Sequence, residues 1–104
     1  MTNFYVTYMM PTKEARDGYY KAVKEKGIID KSRAEDGCIR YDFFFPAESD
    51  TTLFLWEQWE SRDNQKAHCQ TAHFAEMGPL KDAFGVTMKN PQQASRSRSR
   101  RSLP

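Results

Sequence analysis

The sequence predicts an α+β domain on the ferredoxin-like plan, a split β-α-β-β-α-β with an antiparallel sheet and its helices on one face. Two aromatic and β-branched runs, CIRYDFFF at 38–45 and TLFLWEQW at 52–59, read as neighbouring strands joined by a short loop. An apolar stripe at helical spacing lies between the first strand and this pair. Capped helical segments then precede a weak final strand. At 104 residues the chain is long enough for one domain and too short for two.

Residues 3–9, NFYVTYM, form the first strand. Thr12 is the expected N-cap of a helix over 13–33, with Glu14 in its first turn. Ala15, Tyr19, Ala22, Val23 and Ile29 make its apolar stripe. Gly18 and Gly27 each weaken a helix by roughly 1 kcal/mol relative to Ala, so a kink is expected near Gly27. Asp36-Gly37 ends the segment. In the second strand Ile39, Tyr41 and Phe43 should share a side, with Phe44 on the other. In the third, Leu53 and Leu55 oppose Phe54 and Trp56. Strands apolar on both sides predict a sheet covered on both faces, one by helices and the other by a second copy of the chain.

Ser61 should cap a helix over 62–69, and Thr71 another over 72–77, broken at Gly78-Pro79. A helical turn follows at 80–84, and 85–89 form the last strand. The domain is expected to span 1–90. Residues 91–104, PQQASRSRSRRSLP, read as a basic, Ser/Arg-rich disordered tail. The tail holds four arginines and no acid, whereas 1–90 hold 12 basic and 14 acidic residues. The domain is therefore no basic platform, and nucleic acid is not an expected partner. No apolar run reaches membrane-spanning length. Cys38 and Cys69 show no metal or CxxC spacing. With no signal-like N-terminus, they are expected to be free thiols of a cytoplasmic protein.

Chemistry-bearing residues concentrate in LWEQWESRDNQKAHCQTAHF, 55–74. Alternation puts Glu57 on one face with Leu53, Leu55 and Trp59. A carboxylate buried there costs free energy unless it is paired or protonated, and burial raises its pKa toward that of a useful base. The plainer reading is an ion pair with Arg40 or a lysine, or a wet edge. His68 and His73 flank a helix–helix break near that carboxylate. Their H-x4-H spacing is not a zinc helix and no third ligand stands in register, so no metal is expected. Neither a GxGxxG nor a P-loop nor a GxSxG is present, which argues against an ordinary nucleotide-dependent oxidoreductase.

DGCIRYDFFF (36–45), the Glu57-x-Trp59 pair, His68 and Thr71-x-His73-Phe74 together resemble the antibiotic biosynthesis monooxygenase family. Ala72 stands where that family usually has the proline of T-P-H-F. The resemblance spans residue 2 to about 88 and implies a quinol-monooxygenase-like member of the dimeric α+β barrel proteins: a homodimer with sheets packed face to face. It implies a cofactor-free oxygenase taking O2 and a quinol-like or polyphenolic aromatic substrate. Glu57, His68 and His73 would transfer protons, Tyr41 would donate to an oxyanion, and Trp59 and Phe74 would stack on the substrate ring. Arg40 would assist binding. Haem degradation is not implied, because Gly78 stands where haem-degrading relatives carry a histidine. Two alternatives stay open. One is isomerisation of a phosphorylated dione, as in autoinducer-2 processing, with Arg40 and Arg62 holding the phosphate. The other is a non-catalytic stress protein that binds a small ligand.

Overall fold

The computed structural model describes residues 1–89, in the order β1 (Thr2–Met9), α1 (Lys13–Glu25), α2 (Ile28–Arg33), β2 (Cys38–Phe44), β3 (Thr52–Trp59), α3 (Arg62–His68), α4 (Ala72–Ala75), α5 (Met77–Phe84) and β4 (Thr87–Lys89). The tail expected at 91–104 lies outside the described residues. The strands form one antiparallel sheet in the order β2-β3-β1-β4, the ferredoxin-like arrangement predicted. No described helix is long and apolar enough to cross a membrane. Cys38 and Cys69 are both free.

The register decides what faces the helices. β1 pairs with β3 so that Phe4, Val6 and Tyr8 lie opposite Glu57, Leu55 and Leu53, all directed inward. β2 places Tyr41 opposite Glu57 and Phe43 opposite Leu55. The expectation for Ile39 is corrected. The register shifts between Cys38 and Arg40, leaving Ile39 as the extra residue of a bulge. Simple alternation fails across it, and Ile39 is 46% exposed while Tyr41 is buried.

Local chemistry sets the helix boundaries. Thr12, Ser61 and Thr71 accept hydrogen bonds from the backbone N–H groups of Ala15, Asn64 and Phe74, so each expected cap is in place. The single helix expected over 13–33 is two helices. Gly27 takes φ +76, a left-handed conformation that ends α1 and starts α2. The break expected at Gly78-Pro79 is also displaced, because both residues sit in the first turn of α5. A proline there lacks only an N–H that would have no partner within the helix anyway. The discontinuity falls at Glu76 instead.

Tyr19, Val23, Ile28, Leu53, Leu55, Tyr41, Trp59 and Met77 are the buried centre between helices and sheet. On the other sheet face, Tyr5, Met9 and Phe44 are exposed by 40%, 41% and 43%, an unusual amount of apolar surface for a sheet. Phe54 and Trp56 lie among them, each about 6 Å from the Tyr5 ring.

Gly37 has the tightest backbone requirement. It adopts φ +78 just before β2, and a Cβ on it would collide with the Asn64 side chain at the start of α3. Gly37→Ala is therefore expected to lower unfolding free energy by about 1–2 kcal/mol or more, from the left-handed backbone alone. A urea midpoint that drops without a change in slope checks this.

Candidate functional site

Three segments meet in the interior, and the turn that carries Glu35 is far in sequence from the other two. β3 carries Glu57 and Trp59 on its inner face. The C-terminus of α3 carries His68, tied down by the Thr71 hydroxyl, which donates to the His68 carbonyl at 2.8 Å. The turn between α2 and β2 carries Glu35, its backbone fixed by Glu35 N–H to Ser32 O and Cys38 N–H to Glu35 O, both 3.2 Å.

Trp59 and His68 are fully buried and Glu57 nearly so. The Trp59 indole N–H donates to Glu57 Oε1 at 3.0 Å. The carboxyl therefore has an internal partner, neither Arg40 nor a lysine. Burial pushes the Glu57 pKa above the ordinary carboxylate range; the Trp59 hydrogen bond and a protonated His68 pull the other way without cancelling it. Burial, with Glu57 adding to it, also drives the Tyr41 hydroxyl pKa well above its usual value. That hydroxyl is thus a donor, and its contact here is the Met77 sulfur at 3.9 Å.

His68 sits in an aromatic box, its ring 5.1 Å from Trp59, 5.2 Å from Phe74 and 5.4 Å from Tyr41, centre to centre. Its Nδ1 lies 2.6 Å from Glu35 Oε2, and His73 Nε2 lies 2.7 Å from the same oxygen. A carboxylate oxygen can only accept, so both ring nitrogens donate to it. This fixes the His68 tautomer, with the proton on Nδ1 and a bare lone pair on Nε2. Nε2 is buried and has no partner among the described residues.

The sequence-predicted residues Glu57, His68, His73, Tyr41, Trp59 and Phe74 therefore come together. Arg40 does not. It lies on the opposite sheet face, bonded to Asp42 at 2.7 Å and stacked over Trp56 at 4.2 Å. The pleat of β2, which turns Arg40 to the face opposite Tyr41, puts the sheet between Arg40 and the histidines. Glu35 is the residue that sequence reading missed. It stands in no sequence register with the histidines, yet Glu35, His68 and His73 hold their donor atoms within 4.8 Å of one another. A separate cleft of about 220 Å³, lined by Tyr20, Lys24, Ile29, Asp30, Arg33 and Phe43, contains none of these residues. Its Phe43 touches Tyr41 edge to face at 5.9 Å.

A family model described as "Antibiotic biosynthesis monooxygenase" matches residues 4–79. The Bacillus subtilis (strain 168) protein called "Putative monooxygenase YcnE" is 30% identical over 67 residues, which are 64% of this chain and 68% of that protein. A crystal structure from Bacteroides thetaiotaomicron VPI-5482, described as a conserved protein of unknown function and "Possible Oxidoreductase", superposes with a TM-score of 0.73 at 27% identity, covering 85% of this chain and 89% of that one. A "Putative antibiotic biosynthesis monooxygenase" from Nitrosomonas europaea superposes with a TM-score of 0.72, covering 85% and 84%; at 20% identity it speaks for the fold alone.

The raised Glu57 pKa has a consequence for stability. A carboxyl whose folded pKa exceeds its unfolded value contributes stability that is complete below the unfolded pKa and lost as pH rises through the folded one. Glu57→Gln keeps an oxygen for the Trp59 N–H and removes the charge. The variant is expected to melt above the parent at pH 8, with the gap closing as pH falls toward 4. A gap that widens toward acid pH would show that the buried carboxylate is stabilised in its charged form.

Proposed function

Because the chain belongs to the antibiotic biosynthesis monooxygenase family, we propose that it is a cofactor-independent monooxygenase of quinol-like or polyphenolic molecules, with His68 as its base. The observation that carries this reading is the His68 ring: Nδ1 tied to Glu35, and Nε2 buried, bare and walled by aromatic rings. Such a nitrogen can take a proton from a phenolic hydroxyl, and the Glu35 carboxylate stabilises the imidazolium that forms. The resulting phenolate is electron-rich enough to react with O2 directly. A hydroxy-arene that loses its O–H and a ring C–H can keep one oxygen atom, release the other as water and become a quinone. The substrate then supplies every electron.

The other side chains have matching roles. Trp59 and Phe74 bracket the ring, and the Tyr41 hydroxyl, held protonated, donates to the oxyanion. Glu57 holds the Trp59 indole in place and serves as a second proton acceptor. Glu35 and His73 extend from His68 toward solvent: His68 is fully buried, while their side chains are 14% and 13% exposed. A proton taken at Nε2 can leave by that route after Nδ1 gives up its own. The cleft beside Phe43 is an approach for substrate, one ring away from Tyr41. The phosphorylated-dione alternative loses one of its two expected phosphate anchors, because Arg40 faces away from this centre.

The same reading includes a homodimer closed by the outer sheet faces. Tyr5, Met9, Phe44 and the half-buried Phe54 and Trp56 form the apolar area that a second copy would cover. Sedimentation velocity at micromolar concentration is expected to give a dimer, and Phe44→Glu a monomer. A stable parent monomer sinks this part alone.

Oxygen uptake with a panel of benzene and naphthalene hydroquinones tests the chemistry. His68→Gln is expected to lower turnover by ~10²-fold or more. Glu35→Gln, which keeps the side-chain shape, is expected to lower it by roughly tenfold. Folded variants that retain full turnover would remove His68 from the mechanism.

A further inference from the structure

Glu35, His68 and His73 bring two imidazole nitrogens onto one carboxylate oxygen, with His68 Nδ1 and His73 Nε2 at 2.6 and 2.7 Å from Glu35 Oε2 and all three atoms within 4.8 Å of one another. Two histidines and one carboxylate are a donor set that first-row divalent ions favour. We propose that these three residues form a binding site for such an ion, with zinc as the simplest probe, and that the ion competes with the proton that now bridges each ring to Glu35.

The geometry must adjust at His73 and Glu35: the two nitrogens, the wide pair of the set at up to 4.8 Å, must close together while the two N···O pairs open. Zinc takes nitrogen at about 2.0–2.1 Å and carboxylate oxygen at about 2.0–2.2 Å, which in a tetrahedral site separates neighbouring donor atoms by about 3.3 Å. The two N···O distances must therefore open by several tenths of an ångström. Glu35 can supply that movement, because it sits in a turn and not in a helix or strand. His68 cannot move far, being fully buried and boxed by rings, and so acts as the fixed ligand. His73 and Glu35 are each partly exposed, which gives the ion an entry path and leaves a fourth position for water. Cys38 and Cys69 are poor competitors. Burial pushes the Cys38 thiol up to about 11 and raises Cys69 as well, disfavouring the thiolate that would bind.

Occupation would change His68 itself. A metal on Nδ1 takes the lone pair made available when the proton leaves, and a neutral ring then carries its proton on Nε2. Nε2 turns from acceptor to donor. An ion at this site should therefore silence the base, a consequence that rests on the function proposed above; the binding does not.

The test uses the full chain. Zinc chloride titrated calorimetrically is expected to bind saturably at one ion per chain, and His73→Ala and Glu35→Gln to weaken that binding by at least ~10-fold each. Nitrogen-15 spectra of the histidine rings of the parent give a readout independent of any variant. Without zinc, His68 is expected as the Nδ1–H tautomer; with zinc, as Nε2–H. No saturable binding, an unchanged His68 tautomer, or full affinity in both variants overturns the site. Loss of hydroquinone oxidation without loss of zinc binding would fault the proposed reaction and leave the metal site standing.

Discussion

One carboxylate oxygen organises the chemistry of this chain. Oε2 of Glu35 accepts from both histidines, and so links the α2–β2 turn, the end of α3 and the start of α4. These segments are 33 and 38 residues apart along the chain. Without that acceptor, His68 would be a fully buried ring with two nitrogens and no partner among the described residues, a costly arrangement. With it, the ring has one orientation and one tautomer. Every chemical property assigned to Nε2 follows from what Nδ1 is bonded to.

Glu57 is a second buried carboxyl in the same interior, and its role differs because its partner differs. The Trp59 indole is a neutral donor on the same strand face, two residues away. It orients the carboxyl and compensates only part of the burial cost, so the proton is held more tightly than usual. Glu35 lies nearer to solvent, between two imidazoles. Two carboxyls in one core thus differ by their partners: burial raises the pKa of Glu57 beside one neutral donor, while Glu35 accepts from two rings.

The fold was legible in the sequence because its signals are local. Caps at Thr12, Ser61 and Thr71, and the alternation of β3, depend on residues within a few positions of each other. The misses have non-local causes. Ile39 left its expected face because β3 offers no residue opposite it, which alternation in β2 cannot reveal. Gly78-Pro79 reads as a breaker, yet becomes harmless once Glu76 starts a new first turn. Arg40 is no such case: as the neighbour of Tyr41 in β2 it lies on the other face by simple alternation. Glu35 was hidden most completely. An acid beside Asp36-Gly37 looks like an ordinary solvated turn residue, and only the tertiary contacts show that His68 of α3 and His73 of α4 both reach it.

The two sheet faces answer to different constraints, and this explains why the site can be so closed. The inner face carries the reactive groups and is sealed by helices, so its electrostatic interactions act in a poorly screened interior. The outer face keeps Arg40 stacked on Trp56 and neutralised by Asp42, a pairing that works at a partly wet surface. Exchanging the two would fail on both sides. A guanidinium among Trp59, Tyr41 and His68 would need a buried counter-charge and would draw Glu57 into an ion pair, depressing the pKa that burial now raises. A histidine–carboxylate cluster outside would lose the fixed tautomer to water. The pleat of β3, with period two, is therefore the element that separates the two faces: Glu57 and Trp59 point one way, Trp56 and Gln58 the other.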